Sequence, residues 1–582
     1  MIKLSKYLKP YILFIIAIVV LTYLQVTVNL QLPDYLARII NEGIVKENES
    51  FILNTGIEML FVALVGGVCT ILAGFFSAVV ATSFARDARK AVFEKVESFS
   101  LAEFNNFSIS SLITRSTNDI QQVQMVLIFI FRMVLMAPIT GVGAVIKAYH
   151  LAPSMSWIMA VSVALLITII IVLFTLVIPK FELLQKLTDK LNLTARENIT
   201  GLRVIRAFNT EKIEEEKFQQ VNTDLTNTNL FVNRAMVFMQ PIMFLILNLT
   251  TITIIWVGAH HIADGNLEIG GMLAFMQYAM QVIISFLMLS FVFIMIPRAI
   301  ISAKRISEVL ETQLKITDPL VPADFIEAKK GEVEFKHVDF SYGNAETPVL
   351  KDISFTANRG QVTAIIGSTG SGKSTIVNLI PRFFDATSGE VLVNGVNVKS
   401  VSQNALREKI GYVSQKAVLF SGTIQSNILF GEAEIQEEKM KQAADIAQAK
   451  EFIERFEAQY ETAVAQDGTN LSGGQKQRVN IARAIAKDPD IFIFDDSFSA
   501  LDVKTDATLR KALSEKTKGK TVIIVAQRVS TIMNADNIIV LNEGQIVGQG
   551  THAELMKTSE VYQEIAQSQL SEKELAIVGG NK

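Results

Sequence analysis

Cysteine and histidine are the scarcest chemistry-bearing residues of this 582-residue chain, which has one cysteine and five histidines. A single thiol excludes an intrachain disulfide, and so few cysteines and histidines form no cluster with the spacing of a zinc site. Cys69 lies in an apolar run, where we expect it to be a small buried residue.

An excess of charge of either sign is also lacking. The formal net charge is −3, which gives no chain-wide basic surface for a nucleic-acid partner. Hydrophobic residues make up 50% of the chain and charged residues only 19%. This balance favours a membrane protein, and the length favours two or more domains.

Long apolar runs are confined to the first 300 residues. Six of them can cross about 30 Å of hydrocarbon, which takes roughly 20 helical residues. The predicted spans are 11–32, 57–81, 125–149, 157–178, 241–262 and 272–296. The first run follows a basic opening but has no small-residue cleavage site, so we interpret it as a retained membrane helix.

Lysine and arginine are distributed unevenly between the spans. The connections after the second and fourth spans are long and basic, whereas 152–156 and 263–271 contain neither residue. This asymmetry predicts that the basic connections, and both chain ends, lie in the cytoplasm. Apolar residues three and four apart in 84–99 and 181–231 predict helices that continue beyond the membrane. With no transit peptide in evidence, we expect a bacterial plasma membrane protein.

After residue 301 the pattern changes to short β-rich runs that alternate with helical stretches, which is typical of an α/β domain on a largely parallel sheet. Pro319 and Pro322 break any helix in between. The predicted organisation is an all-α six-helix transmembrane domain with long cytoplasmic extensions (1–301), a linker (302–330), an α/β nucleotide-binding domain (331–570) and a polar tail (571–582).

The strongest motif is GSTGSGKST at 367–375, between an apolar strand and a helix, as in a P-loop. The glycines let backbone N–H groups surround phosphates, and the helix N-terminus stabilises negative charge. Lys373 is expected to contact the β- and γ-phosphates of ATP and Ser374 to bind Mg²⁺. The predicted ATP-binding residues of the loop are Gly367, Ser368, Thr369, Gly370, Ser371, Gly372, Lys373, Ser374 and Thr375.

Two further motifs follow the P-loop. Asp495 ends the buried strand 491–494, which is the Walker B arrangement, and is expected to hold Mg²⁺ through water. The second motif is Leu471, Ser472, Gly473, Gly474 and Gln475. This pentapeptide is the signature of the ATP-binding cassette (ABC) superfamily, which the chain closely resembles.

The resemblance covers the whole chain, because six spans followed by one cassette is the layout of a type IV ABC exporter half. It implies that Tyr342 stacks on adenine, that Gln415 of the Q-loop is a Mg²⁺ ligand and that Asp502 belongs to the D-loop. It also implies that two cassettes pair head to tail, with Ser472 touching the γ-phosphate held by the partner. We therefore expect a dimer that uses ATP and Mg²⁺ for export.

Two positions depart from the family pattern. Asp496 replaces the glutamate that polarises the attacking water, and its stem is one methylene shorter. A displacement of about 1 Å can cost roughly 10²-fold in rate. Gln527 replaces the switch-loop histidine and cannot carry charge near pH 7. Together they indicate a degenerate site in an asymmetric heterodimer, which resembles the bacterial heterodimeric multidrug exporters, with this chain's signature completing the partner's catalytic site.

The expected substrates are hydrophobic or amphiphilic, because the last span is rich in methionine and phenylalanine, which suit adaptable apolar surfaces. Four alternatives remain open at this stage. The chain forms a homodimer in which Asp496 is a working base, it exports lipid, it exports peptide, or it is an ATP-binding membrane sensor without transport.

Overall fold

The computed structural model describes residues 2–343, 345, 347–431 and 436–570. They form two compact units. The first contains the chain up to Glu97 together with Ser108–Thr312, and the second contains Ser98–Phe107 together with the chain from Gln313. The predicted polar tail, 571–582, lies outside the described residues.

The first unit is helical throughout, as its apolar periodicity predicts. A short 3₁₀ helix, Ile2–Tyr11, precedes the first long helix. The helices of residues 12–311 are α1 (Ile12–Arg38), α2 (Glu49–Glu97), α3 (Leu101–Phe104), α4 (Ile109–Ser116), α5 (Asn118–Phe129), α6 (Met136–Leu151), α7 (Ser156–Thr200), α8 (Leu202–Phe208), α9 (Glu211–Ala263) and α10 (Ile269–Glu311). Of these, α3 belongs to the second unit.

Within the described residues, six helical stretches are long and apolar enough to cross a membrane. They confirm the six predicted spans and continue well beyond them: α2 runs unbroken to Glu97, and α9 begins at Glu211. The periodicity of the two basic connections predicts these extensions, and short helices lie at the turns between the long ones.

The helix α10 continues past the predicted end of the transmembrane domain. Residues 302–311, which we assigned to the linker, are helical because Ala303, Ile306 and Val309 are buried along one side. Ser302 adds a hydrogen bond of 2.7 Å to the carboxylate of Asp119 in α5. The helix ends at Glu311, eight residues before Pro319. The predicted domain boundaries stay predictions.

The second unit contains two main sheets. Its strands are β1 (Val333–Phe340), β2 (Leu350–Ala357), β3 (Val362–Gly367), β4 (Ser388–Val393), β5 (Val396–Asn397), β6 (Ile410–Val413), β7 (Gly422–Thr423), β8 (Ala463–Val464), β9 (Ile491–Asp495), β10 (Thr521–Val525), β11 (Asn537–Asn542) and β12 (Gln545–Gly550). The larger sheet has the order β12-β11-β3-β10-β9-β6. It is parallel except for β12, which confirms the predicted α/β class.

Helices cover the larger sheet, and the strands β9 and β10 are buried along their whole length. The smaller sheet, β2-β1-β4-β5, is antiparallel. The helices of this unit are α11 (Lys373–Leu379), α12 (Gln403–Glu408), α13 (Ile424–Ile428), α14 (Glu437–Ile446), α15 (Lys450–Glu454), α16 (Gly473–Ala486), α17 (Val503–Lys516), α18 (Val529–Ile532), α19 (His552–Thr558) and α20 (Glu560–Gln569).

The segment Ser98–Phe107 joins the second unit although it lies between two spans in sequence. Ala102 packs against the apolar core beneath the small sheet. Glu103 is 2% exposed, closes a capping box with Ser100 and accepts a hydrogen bond of 3.1 Å from the backbone N–H of Lys315. The unit is therefore built from two separate stretches of chain.

Candidate functional site

The predicted catalytic residues lie where neighbouring parallel strands end. The P-loop follows β3, Gln527 follows β10, Asp495 ends β9 and Gln415 follows β6. These strands are adjacent in the order β3-β10-β9-β6. Because parallel strands share one carboxyl edge, the topology gathers all four segments at that edge, which is the usual ligand side of such sheets.

The P-loop has the tight backbone that its glycines predict. Gly370 and Gly372 have φ of 85° and 99°, the region that favours glycine. A Cβ at Gly367 would come within 2.2 Å of the carbonyl oxygen of Leu541. The hydroxyl of Ser371 is buried and has no hydrogen-bond partner in the part of the chain that the structure describes. The loop therefore offers an unsatisfied polar lining of the kind that binds phosphate.

Lys373 closes over the loop to which it belongs. Its Nζ donates hydrogen bonds of 2.9 and 2.7 Å to the backbone carbonyls of Gly367 and Ser368. Burial lowers the pKa of Lys373, and the nearby carboxylates of Asp496 and Asp495 oppose that shift. The ammonium group thus lies among acceptors at the position where phosphate oxygens are expected.

Ser374 and Asp495 are joined directly, with 3.0 Å between Oγ and Oδ1. A hydroxyl next to a carboxylate is the oxygen donor set that Mg²⁺ prefers, so these residues fit the metal that the family uses. Burial raises the pKa of Asp495, and the hydrogen bond from Ser374 opposes the shift. A divalent cation here would supply the missing positive charge and would favour the ionised carboxylate.

The two substituted positions, Asp496 and Gln527, are in direct contact. Oδ2 of Asp496 accepts hydrogen bonds from the side-chain amides of Gln527 at 2.7 Å and Gln415 at 3.2 Å. The residue is 8% exposed and has a φ of 46°, which aspartate tolerates better than most residues. Burial raises its pKa, and hydrogen bonds from Gln415 and Ser499 oppose that shift.

Gln415, which the resemblance predicts as a Mg²⁺ ligand, donates its side-chain amide to Asp496, and its role at the metal stays a prediction. Tyr412, in β6, is a neighbour that the sequence analysis did not single out. Its hydroxyl donates to the side-chain oxygen of Asn378 at 3.0 Å and lies 3.5 Å from Asp495 Oδ2. Tyr412 could have been identified from the sequence, because it is the one polar side chain of an otherwise apolar strand.

Tyr342 lies beside a cavity of about 320 Å³, which is within the usual range of small-molecule sites. The ring contacts Phe340 and Phe384 edge-on, with centroids 4.7 and 5.2 Å away, and is 40% exposed. Its hydroxyl lies 3.0 Å from the Thr375 hydroxyl, which ties it to the end of the P-loop. Asn105 also lines the cavity.

The signature and the D-loop form the starts of two helices. Ser472 caps α16 through a capping box in which Gln475 accepts from the Ser472 backbone at 2.8 Å. Asp502 caps α17 by accepting from the Thr505 N–H at 3.0 Å, and this bond lowers its pKa. Within the described chain, no signature side chain is hydrogen-bonded to the P-loop of the same chain.

These features, downstream of six spans, define an ATP-driven membrane transporter. Two family comparisons agree: residues 15–286 match the ABC transporter transmembrane region and residues 350–499 match the ABC transporter domain. The chain belongs to the ABC transporter family. It is an exporter-type half-transporter and an ATP-hydrolysing transport ATPase, and exporters of this kind work as dimers in a membrane.

Relatives resemble the chain over its full length. It is 37% identical over 569 residues, 97% of both chains, to an uncharacterized ABC transporter ATP-binding protein of Mycobacterium tuberculosis. It is 35% identical to another, YfiB of Bacillus subtilis, over 97% of this chain and 98% of the relative. A bacterial Atm1-family ABC exporter with ATP bound has the same fold, with a TM-score of 0.80 and 24% identity over 97% of this chain and 99% of that one.

Proposed function

We propose that this chain is one subunit of an asymmetric ABC heterodimer that exports hydrophobic or amphiphilic compounds across a bacterial plasma membrane. In this proposal the cassette and both chain ends face the cytoplasm, as the basic connections indicate. ATP binds between the P-loop of one chain and the signature of the other, and closure of the two cassettes drives the transmembrane helices between inward- and outward-facing states.

The single observation that carries the proposal is the contact of Asp496 with two amides. A general base must be free to accept a proton from water and must lie within about 3.2 Å of it. Here one carboxylate oxygen is engaged by Gln527 and Gln415. An amide cannot relay that proton near pH 7. This arrangement favours a site that holds ATP and hydrolyses it slowly or not at all.

The remaining predicted residues keep their roles in this proposal. Lys373 and the P-loop backbone bind the phosphates, Ser374 and Asp495 hold Mg²⁺, and Tyr342 stacks on adenine. Gln415 is proposed as a further Mg²⁺ ligand and also donates a hydrogen bond to Asp496. The intact signature from Leu471 to Gln475 and the D-loop residue Asp502 serve the partner's site. That site is the one in which hydrolysis takes place.

The class of substrate is supported by a relative's description. The chain is 32% identical over 489 residues, 82% of this chain and 75% of the relative, to a fatty acid ABC transporter ATP-binding/permease protein of Mycobacterium tuberculosis. A fatty acid is an amphiphile, and the apolar, methionine-rich last span suits such cargo. Lipid or peptide export and ATP sensing without transport are outcomes of the tests below.

The test is Mg²⁺-dependent ATPase activity of this chain alone and with its partner subunit. We expect the chain alone to be inactive and the pair to be active. In the pair, Asp496→Asn should change the rate less than twofold, whereas Glu→Gln at the partner's catalytic position should lower it by roughly 10²-fold or more. Robust turnover by the chain alone that is lost with Asp496→Asn would establish the homodimer instead. ATPase activity of the pair without substrate stimulation would favour the sensor.

A further inference from the structure

A cavity of about 340 Å³ lies inside the first unit, between α1, α2 and the helical stretch that joins α5 to α6. Methionine, phenylalanine and isoleucine make up half of the residues in its wall. Its polar lining consists of Thr22, Gln25, Thr70 and Arg132. An arginine in such a wall calls for an explanation, because a charge inside a membrane is costly and is usually functional.

The contacts between α1 and α6 fix the depth of Arg132. The amide of Gln25 lies 3.9 Å from the sulfur of Met136, and Lys147 Nζ lies 2.7 Å from Asp34 Oδ2, so the two helices run side by side in the same direction. Arg132 is therefore level with about residue 20 of α1. At about 1.5 Å per residue, it lies about 14 Å above the level of Tyr11 and about 22 Å below Lys147.

These distances place Arg132 within the hydrocarbon rather than at its edge, since the hydrocarbon core is about 30 Å thick. The side chain is exposed to the cavity side of its helix, and it has no hydrogen bond or ion pair among the residues that the structure describes. The segments around the cavity, 12–33, 59–85, 120–146 and 269–307, contain neither aspartate nor glutamate. The protein supplies no nearby anion on these segments.

The backbone is also altered at this point. Residues Ile130–Val134 form a π-helical turn, in which the N–H of Leu135 bonds to the carbonyl of Ile130. Such turns widen a helix locally and occur frequently at functional sites. The turn is centred on Arg132. The charged residue of the cavity therefore lies on an irregular stretch of the helix that carries it.

We propose that this cavity binds an amphiphile with a single anionic head, a carboxylate or a phosphate, and an acyl chain. Arg132 holds the head through its planar pair of N–H donors, which match either anion. Gln25 and the threonine hydroxyls supply neutral hydrogen bonds beside it. The methionine and phenylalanine side chains surround the first part of the chain and adapt to its shape. Because this names the class of compound carried, it rests on the proposed export function.

The test measures binding without nucleotide or partner, so it can fail separately from the proposed function. Fluorescence of cis-parinaric acid is titrated against the full chain in phosphatidylcholine nanodiscs. The variants are Arg132→Gln, Arg132→Lys and, as a matched control, Arg89→Gln, which removes an exposed arginine of α2 outside the spans. We expect Arg132→Gln to weaken binding tenfold or more, Arg132→Lys to weaken it two- to fivefold, and Arg89→Gln to leave it unchanged.

Competition gives the second readout. Palmitate and hexadecyl phosphate should displace the probe, and hexadecanol should need at least a tenfold higher concentration. Equal binding by Arg132→Gln and Arg89→Gln, or equal displacement by hexadecanol, would overturn the proposal and would mean that Arg132 only approaches the headgroups. Should Arg132→Gln fold poorly, the ranking of the three competitors on the wild-type chain and on Arg132→Lys still decides.

A final comparison separates the two sources of the anion. In nanodiscs that contain phosphatidylglycerol, occupancy by a membrane phosphate predicts weaker apparent binding of the probe to the wild-type chain and no such change for Arg132→Gln. A site that prefers free fatty acids predicts the same affinity in both membranes. Once the variants and the competitors have established the anionic-head site, this comparison assigns the compound that fills it.

Discussion

The side-chain amide of Gln527 donates a hydrogen bond of 2.7 Å to the carboxylate of Asp496. The two positions at which this chain departs from the hydrolysing pattern of its family are therefore in direct contact. Substitutions that touch each other act as a unit, so their effects on rate should not be additive. The proposed loss of catalysis therefore depends on Asp496 and Gln527 together rather than on either residue alone.

Restoring both residues should therefore restore hydrolysis. With the partner's catalytic glutamate changed to glutamine to silence its site, we expect Asp496→Glu combined with Gln527→His to raise Mg²⁺-ATPase activity at least tenfold over the silenced pair. Because the two residues are in contact, each single change should give less than half of the double variant's gain on a logarithmic scale. A double variant that stays as inactive as the silenced pair would mean that another feature of the site prevents hydrolysis.

The signature serine should matter to the pair more than to the fold of this chain. Ser472→Ala removes the cap of α16 and should cost about 1 kcal/mol of stability. It should also lower the ATPase activity of the pair at least tenfold, because the proposal places Ser472 on the partner's nucleotide.

Ser402 provides the matched control for this prediction, because it caps α12 by accepting from the N–H of Ala405. Ser402→Ala should cost similar stability, measured by thermal unfolding, and leave the ATPase activity within twofold. If both variants lost activity equally, the effect of Ser472→Ala would be one of stability alone.

A polar network near one end of the spans should stabilise the helices cooperatively. Asp34 accepts hydrogen bonds from Lys147 at 2.7 Å and from the Tyr278 hydroxyl at 2.5 Å. In a double-mutant cycle of Lys147→Met and Tyr278→Phe, we expect a coupling free energy of about 1 kcal/mol, since the two groups bond to the two oxygens of one carboxylate. Reversible unfolding in mixed micelles measures it. The same cycle with exposed Tyr149→Phe should give a coupling near zero.

The end of the second unit should lose stability in mild acid. His552 is 7% exposed and shares a hydrogen bond of 2.7 Å with the Tyr562 hydroxyl. Burial lowers the pKa of His552 from its ordinary value, which is about 6.5 when unfolded. Below that pH the unfolded chain binds a proton that the folded chain resists, so stability falls as the pH falls through about 6.5 towards the lowered value.

Hydrogen exchange of α19, corrected for intrinsic rates, measures this effect. Between pH 7.2 and 5.8 the opening free energy of the helix should fall in the wild-type chain. In His552→Gln it should start lower and stay nearly constant. An equal slope in both chains would assign the pH dependence to other groups.

The spans and the nucleotide motifs were predictable because both are local. Hydrophobic length identifies a membrane helix, and the P-loop needs its glycines in a row, as the φ values of Gly370 and Gly372 confirm. The meeting of Gln415 and Gln527 at Asp496 was not predictable. It depends on the order of strands in the sheet, which brings together residues up to 112 positions apart in the printed sequence.

The end of α10 shows a different limit. A proline shows that a helix has ended before it, but it does not show at which residue the helix ends. Residues 302–311 stay helical because one side of this segment is buried. On its exposed side, Arg115 adds an ion pair of 2.9 Å with Glu308 and a hydrogen bond to the carbonyl of Arg305. Neither contact can be derived from the periodicity of α10 alone.

The packing of Ser98–Phe107 into the second unit has a consequence for the order of biosynthesis. The ribosome completes this segment about 460 residues before the last described helix of the unit, so at about 5–20 residues per second the interval is roughly half a minute or longer. Lys315, to which Glu103 bonds, is made about 210 residues after it, and the core that Ala102 enters is complete only after the later strands are made. The nascent chain therefore carries Ser98–Phe107 without the rest of the second unit until late in translation. A separately expressed cassette would lack this segment from the start.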